Sequence, residues 1–290
     1  MLVLQTDGVC TDTSLPILQR DALLENSNGG VPWLFDLASL YGYPLQAAPA
    51  NGQLVVNMDA SGNNGSVLEQ TGDSILYTGR GFNFDGVTKI GNAMLGPATP
   101  AASVWAAPNQ YFIACGYFKL PTSGNWNTAG ALFEIFKWAN TTYLVGAELV
   151  MFAQASGGGI SVRRQTAAAT VDTIDITPNA LDYGSFVQLA FWRSASGQFV
   201  RLKSANGTIL GSAAVSTNNT QNFSALIPQL GVSRGFKGAT DGAVMAAAGQ
   251  NAAKMRVYRA WLENSVTSGR DPTTVLDADY TRTVARAVYS

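Results

Sequence analysis

Residues 184–211, GSFVQLAFWRSASGQFVRLKSANGTILG, decide the fold. Apolar and polar residues alternate in three short runs, at 186–191, 198–202 and 208–210. Between the runs stand Ser194-Ala195-Ser196-Gly197 and Ser204-Ala205-Asn206-Gly207, small polar residues closed by glycine. Such segments supply the positive backbone angles that tight hairpin turns need. The stretch therefore reads as a three-stranded antiparallel meander, with residues of one parity facing a core and those of the other facing away.

Outward from this centre the same signals recur. Strands are expected at 54–58, 131–136, 142–153, 160–163 and 167–177, with Lys137-Trp138-Ala139-Asn140 as a loop between two of them. Short strands at this spacing predict a two-sheet sandwich. Helices are expected at the two ends. One spans 14–25, capped by Ser14 with Pro16 in its first turn. The other spans 271–284, with Asp271 as cap and Pro272 at its first position.

The order of these elements resembles a laminin-G-like, concanavalin A-like jelly roll. The resemblance rests on the strand ending in Phe191-Trp192 and on Asn206-Gly207, which stands where that family has Asp-Gly; Phe186 takes the place of the usual first Trp. It extends to Gly79-Arg80-Gly81-Phe82-Asn83-Phe84-Asp85-Gly86, to the run 111–120, to 226–236 and to 254–261, covering roughly residues 53–282. The fold class it implies is all-β: a two-sheet jelly-roll domain over 51–290, preceded by an N-terminal arm over 1–50 with a short helix, and closed by a short C-terminal helix. The run 257–272, VYRAWLENSVTSGRDP, closed by Val275-Leu276-Asp277-Ala278-Asp279-Tyr280, also resembles the C-terminal end of tailed-bacteriophage virion proteins that carry such a domain. That second resemblance implies a structural part in a virion, made in the host cytoplasm without a signal peptide.

Composition narrows the chemistry. The chain has 290 residues, 47% hydrophobic and 13% charged, with a formal net charge of −1. Enough apolar surface is present for a large core, and no charge excess points to nucleic acid. Met1-Leu2-Val3-Leu4 lacks the basic flank of a signal peptide, and no apolar run reaches membrane-spanning length. Histidine is absent, which removes imidazole-based nucleophilic triads and proton shuttles. Cys10 and Cys115 are far apart, and either a buried thiol or a bridge fits their spacing.

Glycosidases on this fold set carboxylates two positions apart on one sheet face. The five glutamates, Glu25, Glu69, Glu134, Glu148 and Glu263, have no acidic residue two positions away. Asp172 and Asp175 fall on opposite faces of a strand, and Asp277 and Asp279 diverge on a helix. The expectation is a protein that is not an enzyme, with no catalytic residues, no cofactor and no metal. Asp59, Asn63 and Asn64 form an oxygen-rich loop that ordinary turn chemistry explains. Arg163-Arg164 and Arg201 with Lys203 could form a basic strip across neighbouring strands, either a solvated face or a contact for an acidic partner subunit rather than for nucleic acid.

The leading functional expectation is a non-enzymatic virion component, in capsid decoration, a vertex, the tail or the baseplate. It would act through contacts with other virion proteins, copies of itself included. The aromatic arm residues Trp33, Phe35, Tyr41 and Tyr43 are the candidate assembly contacts. The alternative is a carbohydrate-binding module that adheres to a host-surface glycan. Its candidates are Trp126, Asn127, Trp138 and Asn140, since aromatic faces stack on sugar rings and amides bond hydroxyls. A polysaccharide hydrolase stands third. No nucleic acid and no membrane insertion are expected.

Overall fold

The computed structural model describes residues 21–59, 61–87, 92–105, 109–123, 134–139, 148–154, 159–167, 170–220, 227–233, 254–286 and 288–290. The protein is an all-β jelly-roll sandwich with few helices. In chain order the strands are β1 (Trp33–Asp36), β2 (Leu54–Val55), β3 (Gly65–Leu68), β4 (Leu76–Thr78), β5 (Gly81–Asn83) and β6 (Ala93–Leu95). They continue with β7 (Phe112–Lys119), β8 (Glu134–Ala139), β9 (Glu148–Gln154), β10 (Ile160–Ala167) and β11 (Thr170–Ile176). The last are β12 (Phe186–Ser194), β13 (Gly197–Ser204), β14 (Gly207–Ala213), β15 (Ile227–Ser233) and β16 (Arg256–Asn264). The helices are α1 (Ala98–Trp105), α2 (Ser265–Ser268) and α3 (Pro272–Ala285).

Two antiparallel sheets face each other. One runs β14-β13-β12-β7-β16-β5-β4, and the other β11-β10-β9-β8-β15-β6-β3-β2. The meander is as the alternation requires: Leu189 pairs with Leu202 and Trp192 with Phe199, while Arg201 pairs with Leu210 across the next ladder. The turns are Ala195-Ser196 and Ala205-Asn206, each closed by a glycine of positive φ, Gly197 at 151° and Gly207 at 129°.

Parity then separates two cores. Val187, Leu189, Phe191, Val200, Leu202, Phe112, Ala114 and Phe118 point between the sheets into the main core. Ala190, Trp192, Ile113, Cys115, Tyr117, Tyr258 and Trp261 lie on the outer face of the first sheet. That outer face is apolar enough to need its own cover. The helix α3, through Val275 and Leu276, and the 3-10 turn Ala22–Leu24, through Leu23, supply it. Burying each such aliphatic side chain contributes roughly 1.5–3 kcal/mol.

Caps fix α3 as the sequence indicates: Asp271 Oδ1 accepts from the Thr274 N–H at 2.8 Å, and Pro272 opens the helix. At the other terminus the expectation changes. The described part of the predicted 14–25 helix is a 3-10 turn whose cap is Asp21, accepting from the Leu23 N–H at 2.9 Å; 14–20 lie outside the described residues.

The assembly-contact assignment is corrected for three of its four residues. β1 pairs with the second half of β16, Trp33 opposite Leu262 and Asp36 opposite Arg259, because β5 occupies only the first half of that edge. Trp33, Phe35 and Tyr43 are consequently fully buried rings of this chain's own core and offer nothing to another subunit. Tyr41 is exposed at 40%. Residues 1–20 of the expected arm lie outside the described residues. Cys115 is a free, buried thiol whose ionisation burial pushes well upward; Cys10 is not among the described residues.

Candidate functional site: an open groove beside the C-terminal helix

The outer face of the first sheet is built around one buried guanidinium. A bulge in β16 between Val257 and Arg259 breaks the ladder to β7, and both Tyr258 and Arg259 turn to the outer side. Arg259 is 1% exposed. It donates to Asp21 Oδ2 at 2.8 Å, Asp36 Oδ2 at 3.0 Å and Asp279 Oδ1 at 2.9 Å. The other oxygen of Asp279 accepts from the Trp261 indole and the Tyr117 hydroxyl, both at 2.8 Å. Arg286 reaches Asp36 at 2.6 Å. Burial alone lowers the Arg259 pKa, but the three carboxylates outweigh it and hold the guanidinium charged. A second clamp joins Arg270 to the fully buried Glu263 through two parallel bonds of 2.9 and 2.6 Å, and to the Leu23 carbonyl at 2.9 Å. Planar two-point pairing of this kind is what arginine does best.

The polar chain continues from Tyr117 to the edge of the helix. The Gln188 amide donates to the Tyr117 hydroxyl at 2.7 Å and to the Leu276 carbonyl at 3.0 Å, and its oxygen accepts from Arg201 at 2.5 Å. Arg201 and Lys203 then both donate to Asp277 Oδ1, at 2.8 and 2.6 Å. Here α3 stops covering the sheet and a groove of about 590 Å³ opens.

The floor of the groove, made by Trp192, Phe199, Arg201, Lys203, Thr208 and Leu210, lies on a grid set by strand register. Trp192, Phe199 and Ser212 lie in one row, and Ala190, Arg201 and Leu210 in the next. Gln188, Lys203 and Thr208 form the third row. Trp192 and Phe199 stack with centroids 5.1 Å apart and planes 16° from parallel. Phe199 is partly open and Leu210 is 58% exposed. Ser194 and Ser196 edge one end, and Asp271, Thr273 and Asp277 of the helix form the wall. An aromatic pair, hydroxyls, two cations and two carboxylates thus converge on one concavity.

The expected binding residues fall elsewhere. Trp126, Asn127 and Asn140 lie outside the described residues. Trp138 is corrected: it is in β8 rather than a loop, fully buried, and packed edge-on against Trp33 at 6.2 Å and Phe136 at 5.1 Å. A ring enclosed on all sides presents no face to a sugar. The basic strip is corrected as well. Arg164 of β10 turns between the sheets, donating to Gln198 at 2.8 Å and Asp172 at 3.2 Å, whereas Arg201 and Lys203 lie on the outer face of the other sheet. The Asp59–Asn64 loop is bonded to itself, Asp59 Oδ1 accepting from the Ser61 N–H and hydroxyl at 2.8 and 2.6 Å. Among the described residues no three acidic or sulfur groups cluster as metal ligands. Phe199 was recoverable from sequence, since 199, 201 and 203 share one strand face.

No protein-family model matches the sequence, and no curated protein matches it. Solved structures do. The binding domain of botulinum neurotoxin serotype C1 aligns at 10% identity and a TM-score of 0.49, over 82% of this chain and 49% of that one. A Trypanosoma rangeli sialidase in complex with sialic acid aligns at 12% and 0.47, over 87% and 33%. Domains LG4-5 of the mouse laminin α1 chain align at 13% and 0.32, over 53% and 34%. The chain spans half or less of the length of each. At these identities and TM-scores the likeness says nothing of what this chain does.

Proposed function

We propose that this chain is a non-enzymatic recognition module and that its groove over β12, β13 and β14 holds a glycan. The observation that carries the reading is the half-buried Phe199, backed by the buried Trp192 ring and set beside Arg201, Lys203 and Asp277 in an open concavity. A sugar ring has an apolar face and a rim of hydroxyls, so it needs an aromatic surface next to mixed donors and acceptors. The buried carboxylates speak against hydrolysis: Asp21, Asp36 and Asp279 are held by Arg259, and Glu263 by Arg270. In the groove itself Asp277 is held by Arg201 and Lys203, and Asp271 caps α3 through Thr274, so its two carboxylates are engaged as well.

Screening the full chain against a panel of oligosaccharides, beside the variant Phe199→Ala, tests the reading. Wild type is expected to bind, and the variant to lose about tenfold or more in affinity, on the order of 1.4 kcal/mol. Wild-type protein that binds no saccharide at millimolar concentration sinks it.

Residence in a virion, with work done through protein contacts, is a second proposal. It draws support from the turn after β1, where Leu40, Tyr41 and Leu45 are exposed at 68, 40 and 47%. Three large apolar side chains within six residues are suited to a protein partner. Light scattering on wild type and a Leu40→Ser/Tyr41→Ser double variant tests it. A defined oligomer that the double variant dissolves supports self-assembly, and identical monomers count against it.

A further inference from the structure

We infer that Asp277 makes the groove selective for neutral over acidic saccharides. The inference rests on the glycan reading above and names the ligand class and the residue that sets it. Arg201 and Lys203 are the cations on the groove floor, and both give a hydrogen bond to the same oxygen, Asp277 Oδ1. Arg201 spends a further donor on Gln188, and the Lys203 ammonium sits 4.9 Å from the Tyr280 ring centre. Asp271 adds a second carboxylate to the wall. The two positive and two negative charges of the groove therefore balance.

Asp277 Oδ2 has no hydrogen-bond partner among the described residues, and the side chain is half exposed. Although partial burial pushes its pKa up, the Lys203 bond and the nearby Arg201 charge push it down further, so the carboxylate stays ionised. A neutral sugar with adjacent hydroxyls can donate to the free Oδ2 and accept from a remaining Lys203 N–H, while its apolar face lies toward Phe199 and Leu210. An acidic sugar would bring a third carboxylate beside Asp277 and Asp271, and it would meet cations that are already engaged. Selectivity here comes as much from that repulsion as from the attraction.

Arg201 is held by Gln188 as well as by Asp277, so it stays in place when the carboxylate is neutralised. Asp277→Asn keeps the shape of the side chain and leaves the groove with one net positive charge.

The test compares wild type, Asp277→Asn and Phe199→Ala against matched neutral and uronic-acid or sialylated oligosaccharides at low salt, with thermal melts to confirm folding. Wild type is expected to favour the neutral partner by about tenfold or more. Asp277→Asn should move that ratio at least about tenfold toward the acidic one, and added salt should cancel the gain. Wild type preferring acidic glycans overturns the inference. So does an unchanged ratio in Asp277→Asn while Phe199→Ala still loses binding, and in that case the glycan reading survives alone. Absence of any saccharide binding by wild type removes both.

Discussion

Arg259→Met should cost about 3–5 kcal/mol, the penalty for removing one partner of a buried ion cluster and stranding the others. Whole domains have only about 5–15 kcal/mol of margin, so this variant is expected at the edge of folding. The reason is arithmetic of charge. Asp36 and Asp279 are fully or almost fully buried, Asp21 is 12% exposed, and Arg259 reaches all three. Arg286 still touches Asp36, but Asp21 loses its hydrogen-bonded cation, and Asp279 keeps only the half-exposed Arg282 at 4.0 Å. Urea unfolding measures the loss. Pairing the change with Asp279→Asn should recover part of it, because an asparagine oxygen still accepts from Trp261 and Tyr117 while one stranded charge is gone. A single variant within about 1 kcal/mol of wild type would show that the cluster contributes little.

The same cluster sets a pH dependence. Burial by itself would raise the Asp21 pKa, but the charge and hydrogen bonds of Arg259, with the Leu23 N–H, bring it below the ordinary carboxylate value. A carboxyl whose folded pKa is depressed stabilises the fold above its unfolded pKa of about 3.9, and that contribution is lost as pH falls through the folded value. Stability should therefore fall more steeply below about pH 4 in wild type than in Asp21→Asn, as read from urea midpoints across a pH series.

Much of the fold was legible because a half-buried strand writes its geometry into every second residue. The meander at 186–213, the strand β7 and the helix α3 with its Asp271 cap all stand as their patterns indicate. What escaped were features that depend on where distant segments meet. The bulge at Val257/Arg259 has no local signature, and without it Arg259 reads as an ordinary charged residue on a strand. The run 258–280, which resembles the virion proteins, also holds the ion pairs of the outer face. Arg259 with Asp279 ties α3 to the sheet, and Glu263 with Arg270 ties down the loop before it. The site was half visible: Arg201 and Lys203 were seen to share a face, but their carboxylate partner is 74 residues downstream of Lys203. Trp138 misled because aromatic density beside an asparagine fits a buried ring as well as a sugar platform.

Trp33→Ala carries the second large effect, about 3–5 kcal/mol of lost stability. The ring belongs to β1 of the first sheet and crosses the core to the second. It lies 5.3 Å from Phe35 in a stacked pair, and it meets Trp138 and Phe136 of β8 at 6.2 and 6.5 Å. Truncation would leave a void between the sheets that these rings cannot fill without leaving their own contacts. Trp33→Phe should cost much less. The buried indole N–H has no acceptor among the described residues, so losing it forfeits no hydrogen bond there and removes a desolvation cost of roughly 1–3 kcal/mol that offsets the lost volume. The pair of variants separates a core tryptophan from a docking one. A core residue lowers the urea midpoint of the isolated chain and leaves its solution mass unchanged. A docking residue would do the reverse, so a Trp33→Ala chain of native stability that no longer assembled would show the ring facing another subunit.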